Sequence, residues 1–301
     1  MCTTCGCSDD AGVRISNLEG SQAGQPQSHV HDHEHPHDHT HTHDDVGHTH
    51  QHTHDGALPH THDGAGERTT ITLEQNLLAK NDLLAARNRG WLEGRGIRAF
   101  NVMSSPGSGK TTLLVRTIQE QGSALNIGVI EGDQETSVDA ERIRATGRPV
   151  IQINTGAGCH LDAEMLQHGL DALNPEAGST VFIENVGNLV CPALFDLGES
   201  AKVVIISVTE GDDKPLKYPN MFMAADLVII NKSDLLPYVD FDVDGCLRQA
   251  RQLNPGVEML IVSATTGEGL DGWFDWIRNQ AGTPAALGAA PREHRISSLM
   301  P

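Results

Sequence analysis

No apolar run in this chain approaches the ~18–20 residues needed to span a bilayer, so no membrane-crossing segment is expected. Positive charge is scarce: 21 Lys and Arg face 40 Asp and Glu, for a formal charge of -19. Such an acidic balance repels phosphodiester backbones and anionic headgroups, so neither nucleic acid nor a membrane is an expected partner. The amino terminus is polar and lacks the apolar core of a secretory leader, which points to the cytoplasm. Cysteines are few, six in 301 residues, and in a reducing compartment they read as thiols or metal ligands, not disulfides. The length suits one or two domains with a buried core.

Histidine is what the chain has in excess, 17 in all, of which 14 fall between His29 and His62. They are His29, His31, His33, His35, His37, His39, His41, His43, His48, His50, His52, His54, His60 and His62, spaced mostly by Asp and Thr. Such a tract has almost nothing to bury, so it is expected to be disordered. Neutral imidazoles bind nickel, copper, zinc and cobalt, and the tract is expected to hold several ions loosely, as a store or a buffer. Ahead of it, Cys2-Thr3-Thr4-Cys5-Gly6-Cys7 gathers three thiols within six positions, and the Met1 amine is close enough to complete a four-ligand set. Donors in a plane would suit nickel(II) or copper(II), and a tetrahedron would suit zinc. A redox C-x-x-C would be followed by the helix of a thioredoxin-like unit, which is absent. Residues 1–66 are therefore expected to be a metal-binding arm, residues 67–280 a folded domain and residues 281–301 a loose tail.

The folded part is organised around Ser104-Ser105-Pro106-Gly107-Ser108-Gly109-Lys110-Thr111-Thr112. An apolar run, Ala99 to Met103, enters this loop, and Leu113, Leu114, Val115 and Ile118 leave it at helical spacing. Strand, small-residue loop and helix are the setting of a phosphate-binding loop. Gly107, Ser108, Gly109 and Thr112 would bring backbone N–H groups to phosphate oxygens at the positive end of the helix. Lys110 would reach the outer phosphates, and the Thr111 hydroxyl would ligate magnesium. The first glycine of the usual pattern is replaced by Ser104.

Further apolar runs follow at Ile127–Glu131, Pro149–Ile153, Val181–Glu184, Val203–Val208, Leu227–Ile230 and Val257–Val262. Helical patterns at Val138–Ala145, Ala163–Leu173, Val243–Leu253 and Leu270–Arg278 separate most of them. The alternation predicts an α/β fold, a mainly parallel sheet with helices on both faces. Upstream, Thr72-Leu73-Glu74-Gln75 reads as a capping box. It would open a helix with Leu73, Leu77, Leu78 and Leu84 on its packing side, ending near Gly90.

Asn231-Lys232-Ser233-Asp234 follows the run Leu227–Ile230, about 120 residues after the phosphate loop. The Asp234 carboxylate can accept from N1–H and the 2-amino group of guanine, whereas adenine presents a lone pair at N1 and leaves it unpaired. Losing that pairing costs several kcal/mol, so GTP is expected over ATP. Asn231 would address N7, Lys232 would lie along the base, and Ser263-Ala264 could offer an N–H to O6. Two strand ends carry acids: Asp133 and Glu184 could serve magnesium or the attacking water, and the Gly187 N–H could sense the γ-phosphate. Lys110, Asp133 and Glu184 are the expected catalytic groups, since phosphoryl transfer is mostly positioning and charge neutralisation. No glutamine stands where Ras-like enzymes orient water, so hydrolysis is expected to be slow. Cys159, His160 and Cys191 lie in loops at the same end of the sheet. Three ligands are too few for a closed tetrahedral site, which a two-fold dimer could complete. Cys246 reads as core, and His168 and His294 as surface.

Together these residues resemble the hydrogenase nickel-incorporation GTPases, the HypB family of the SIMIBI class of P-loop proteins. The carriers are the amino-terminal thiol motif, Ser104–Thr112, Glu131-Gly132-Asp133-Gln134, Gly158-Cys159-His160-Leu161-Asp162, Phe182 through Pro192, and Asn231-Lys232-Ser233-Asp234. The resemblance implies GTP-dependent delivery of nickel to the large-subunit precursor of [NiFe]-hydrogenase. It implies a tight nickel site at Cys2, Cys5, Cys7 and the Met1 amine, and a weaker zinc or nickel site at Cys159, His160 and Cys191. Implied partners are a second copy of the chain, the accessory protein HypA and the hydrogenase precursor. Two rival expectations are a urease-accessory nickel GTPase and a nickel store without a GTP-driven step.

Overall fold

The computed structural model describes residues 14–17, 65–133, 138–156 and 158–282. The readings made on Met1, Cys2, Cys5, Cys7, the fourteen tract histidines, Gln134, His294 and most of the carboxyl-terminal tail lie outside the described residues. The chain divides into two compact units, and within Gly20–Glu74 the described residues are the opening turns of a helix.

Among the described residues eight strands form one sheet: β1 (Arg14–Asn17), β2 (Arg98–Ser104), β3 (Ile127–Asp133), β4 (Val150–Asn154), β5 (Thr180–Gly187), β6 (Ala201–Ser207), β7 (Leu227–Asn231) and β8 (Glu258–Ile261). Their order is β1-β4-β3-β5-β2-β6-β7-β8, and β2 to β8 are all parallel. The chain leaves β2 toward β3 on one side, and β6 lies on the other. The loop after β2 therefore opens at the switch point where parallel sheets bind ligands. β1 was not anticipated. It pairs antiparallel with β4, Arg14 beside Asn154, inside the segment expected to be an unstructured arm.

Strand residues alternate between two cores because successive side chains point to opposite faces. Phe100, Val102, Val129, Phe182, Val203 and Ile229 face one layer made by α2 (Lys110–Gln121), α3 (Val138–Arg144) and α8 (Leu270–Gly282). Trp273, fully buried there, donates from its indole nitrogen to Thr117 Oγ1 at 2.9 Å. On the other face Ile130, Ile153, Val181 and Ile183 meet α4 (Ala163–Leu173) and Leu92 of α1 (Ala65–Gly94). Val204, Ile206, Val228 and Ile230 meet α6 (Pro219–Ala224) and α7 (Val243–Leu253), with Cys246 fully buried as expected. The short helix α5 (Lys214–Lys217), α6 and the 3₁₀ turn Cys191–Ala193 had no counterpart in the sequence reading.

Helix α1 departs most from expectation. It starts at Ala65, so Thr72 lies inside it and is no cap, and it passes Gly90 to end at Gly94. Leu77 and Leu83 are exposed, while Asn81, Ala85, Asn88 and Leu92 are buried. Polar groups make the contact: Asn81 Nδ2 donates to Asp196 O at 2.7 Å, and Asn88 Nδ2 to Ala163 O at 2.8 Å and Leu197 O at 3.1 Å. Arg89 closes it with two bonds to the Asp196 carboxylate, at 2.6 and 2.7 Å. An apolar-periodicity rule cannot find a face built this way.

Candidate nucleotide and metal sites

Helix α2 begins with Gly109 in the left-handed region (φ 94°), and among the described residues no side chain caps it. Elsewhere Asp162 and Asp242 cap α4 and α7. Uncapped amides at a helix start attract anions. Around them opens a cleft of ≈ 570 Å³, lined by Ser104 through Thr112, Glu131, Gly132, Asp133, Asp139, Arg142, Val186, Gly187 and Lys232. Ser104 sits in the last position of β2, paired with Gly187 and Ile205, which explains why a glycine is not required there.

Lys110 Nζ and Thr111 Oγ1 each lie 2.6 Å from Glu184 Oε1, and Glu184 is fully buried. Three buried side-chain oxygens that have no hydrogen-bond partner among the described residues gather here: Ser108 Oγ, Glu131 Oε2 and Glu184 Oε2. Leaving such groups unpaired is costly, so this spot is built for a ligand that is not protein. Hard oxygen donors from Thr111, Asp133 and Glu184 are the set magnesium takes, and the orphan carboxylate oxygens fit it. Sequence reasoning missed Glu131 as a site residue. Registered against Glu184 on the neighbouring strand, it is pushed up to about 8 by burial, then by Glu184 and Asp133, against the pull of Lys110. Arg142 was missed as well. From α3 its guanidinium donates to Thr112 Oγ1 at 3.0 Å and to Asp139 at 3.1 Å. Only the packing of α3 beside α2 within one helical layer brings it there.

The residues expected to address a base stand beside this cleft. Asn231 Nδ2 donates to Ser108 O at 2.8 Å, and its Oδ1 accepts from Ala264 N at 3.0 Å. Asn231 thus braces the phosphate loop against the Ser263-Ala264 loop, and its second Nδ2 hydrogen is the one left for a base. A methyl group on Gly109 would sit 2.5 Å from that Nδ2, so the approach needs glycine. Lys232, left-handed at φ 63°, donates to Gly107 O at 2.7 Å. Asp234 Oδ1 accepts from Ser263 Oγ at 2.5 Å, which aims the carboxylate.

The three expected metal ligands converge. One ligand atom each from Cys159, His160 and Cys191 lie within 4.8 Å of one another, with Cys159 Sγ 3.6 Å from His160 Nδ1. Burial lowers the His160 imidazole from its ordinary value against the opposing charge of Asp162, which favours the neutral ring that a metal takes. The ring packs on Phe195 at 4.0 Å between centroids, which fixes its plane. Cys191, buried, opens the 3₁₀ turn, and Asn188 Nδ2 donates to Cys159 O at 3.4 Å. His168 is exposed, as expected.

Residues 98–261 match the family model described as the CobW/HypB/UreG nucleotide-binding domain. The hydrogenase maturation factor HypB of Azotobacter vinelandii is 58% identical over 213 residues, 71% of this chain and 70% of that protein. The crystal structure of HypB from Archaeoglobus fulgidus superposes with a TM-score of 0.64 at 42% identity, over 68% of this chain and 100% of that one. HypB from Helicobacter pylori, crystallised in complex with nickel, gives 0.63 at 38% identity, over 67% and 95%.

Proposed function

From the premise that the chain belongs to the CobW/HypB/UreG family, and within it to the HypB hydrogenase maturation factors, we propose that it is a slow GTPase delivering nickel to a [NiFe]-hydrogenase large subunit. Nickel is its cargo and GTP its substrate. The observation carrying this reading is the continuity of β5. Glu184 on that strand holds Lys110 and Thr111, and Gly187 at its end is four residues from Cys191. A γ-phosphate that draws on Gly187 moves a metal ligand, and linkage then requires metal to change nucleotide affinity by the same factor.

GTP over ATP is supported by the Asp234 carboxylate, which Ser263 holds beside a phosphate loop that Asn231 braces. Thr111, Asp133 and Glu184, with Glu131 beside them, would hold magnesium, which when bound neutralises phosphate charge. Cys159, His160 and Cys191 would take nickel or zinc, and a homodimer would complete the coordination that three ligands leave open. Cys2, Cys5, Cys7 and the Met1 amine would form the tight nickel site, and the histidine tract a reserve. HypA and the hydrogenase precursor are the proposed partners, in the cytoplasm.

The test uses untagged full-length protein, because a tag would cover the Met1 amine. GTP but not ATP should be turned over, and nickel affinity should differ between GDP and a non-hydrolysable GTP analogue. Equal nickel affinities would leave a nickel store with no GTP-driven step. In cells, Lys110→Ala should abolish hydrogenase activity. Because that change strands buried Glu184, Asp234→Asn should be run beside it and give the same loss.

A further inference from the structure

The Cys159-His160 loop is tied at both ends to the strands that line the phosphate cleft. At its start, Thr155 N donates to Asp133 O at 2.9 Å, and Thr155 in turn holds Gly158 through Gly158 N to Thr155 O at 2.9 Å and Thr155 Oγ1 to Gly158 O at 2.7 Å. At its end, fully buried Leu161 follows His160 directly, and its N–H donates to Asn185 Oδ1 at 3.1 Å. The Leu161 side chain fills the space over Gly132. A Cβ added there would lie 2.7 to 2.9 Å from three Leu161 carbons. Gly132 stands between Glu131 and Asp133, and Asn185 follows Glu184, so Leu161 is wedged between both acid-bearing strands.

Asn185 has no slack. Its Oδ1 also accepts from Val186 N at 3.0 Å, and its Nδ2 donates to Asn101 Oδ1 at 3.2 Å, while Asn101 donates onward to buried Glu199 at 3.2 Å. Close-packed interiors pass displacement from one element to the next instead of absorbing it.

We propose that Leu161, seated on Gly132 and Asn185, is the positioning residue through which the phosphate cleft sets the geometry of the Cys159, His160 and Cys191 ligands. This rests on the reading above, that one chain binds guanine nucleotide and nickel together. A shift of β3 or β5 with the number of phosphates carries Leu161, and His160 is covalently next to it. Leu161 touches neither ligand, so its removal should leave both sites able to bind while severing their conversation.

The experiment uses the full chain with Cys2, Cys5 and Cys7 changed to Ala, so that thiolate-to-nickel absorbance reports Cys159 and Cys191 alone; the tract imidazoles give no such band. Nickel affinity is measured against a competing chelator, with magnesium and either GDP or a non-hydrolysable GTP analogue. The parent should show a ratio between the two states within the roughly 5- to 150-fold range of allosteric couplings. Leu161→Ala should bind both nucleotides within about twofold of the parent and bring the ratio toward one. Leu161→Met, which conserves volume, should keep it. Leu161→Val, a smaller truncation, should lower it partway and serves if the Ala variant does not fold. A parent ratio above one that the Ala and Val variants retain would overturn the role of Leu161 alone; a parent ratio of one would overturn the coupled reading as well.

Discussion

Replacing Glu131 by glutamine isolates an acid that the cleft holds far from its ordinary titration. Glu131 is 3% exposed, and its carboxyl is moved from 4.5 to about 8, chiefly by burial and then by the neighbouring Glu184 and Asp133. In the unfolded chain the group loses its proton near 4.5, so between about pH 4.5 and 8 the folded state binds more protons than the unfolded one. Stability therefore falls as pH rises through that window and levels off above it. A gap of about 3.5 pH units, at ~1.36 kcal/mol each, corresponds to about 5 kcal/mol. Glutamine keeps the shape and takes no charge. Glu131→Gln should match the parent near pH 5 and exceed it at pH 9. Even half of the full effect raises Tm by about 5–10 °C, at ~2–4 °C per kcal/mol for a domain of this size. The assay is calorimetric melting of magnesium-free, nucleotide-free protein from pH 5 to 9. Melting temperatures that fall in parallel for the two proteins would refute the reasoning. A second reading comes from adding magnesium alone at pH 7: its positive charge beside Glu131 should expel the proton, so calorimetry in buffers of different ionisation enthalpy should find about one more proton released by the parent than by the variant.

Asp234→Asn should weaken GTP by roughly 10- to 150-fold, the worth of hydrogen bonds to a charged acceptor, and improve binding of XTP, whose 2-oxo group accepts where guanine donates; competition binding decides. Gly109→Ala forces a Cβ onto Asn231 Nδ2 at a backbone angle of φ 94°, so nucleotide binding should be lost and the fold weakened by about 1–3 kcal/mol; unchanged GDP affinity would contradict the brace. Arg142→Ala should weaken GDP and GTP alike by roughly two- to fivefold, as for a partly solvated charge. That loss should shrink in high salt, and a loss confined to GTP would place Arg142 at the γ-phosphate instead.

Short-range chemistry was legible in the linear chain. The phosphate loop needs glycines at Gly107 and Gly109, a lysine and a hydroxyl in consecutive positions, and Asp234 needs only to follow a strand. A local backbone turn sets these geometries, so spacing reports them. The convergence of Cys159, His160 and Cys191 was also readable, because both loops leave the carboxyl ends of parallel strands and so emerge at one end of the sheet. The strand runs themselves came out within a few residues, although β5 extends through Asn185 and Val186, which the reading had placed after it.

What only the folded chain decided are the contacts that depend on strand order. Glu131 joins the site because β3 lies beside β5, which sets it level with Glu184; nothing within ten residues of either acid states that neighbourhood. Arg142 meets Thr112 because α3 and α2 share one layer, and Leu161 meets Gly132 and Asn185 because α4 enters under both strands. The seat of α1 is set by amides reaching carbonyls over a hundred residues away in sequence, a pattern with no periodicity to betray it. Sequence fixes which chemistry each loop carries, because that is a property of neighbouring residues. Which loops feel one another is decided by lateral order in the sheet, a long-range outcome of packing that no local pattern encodes.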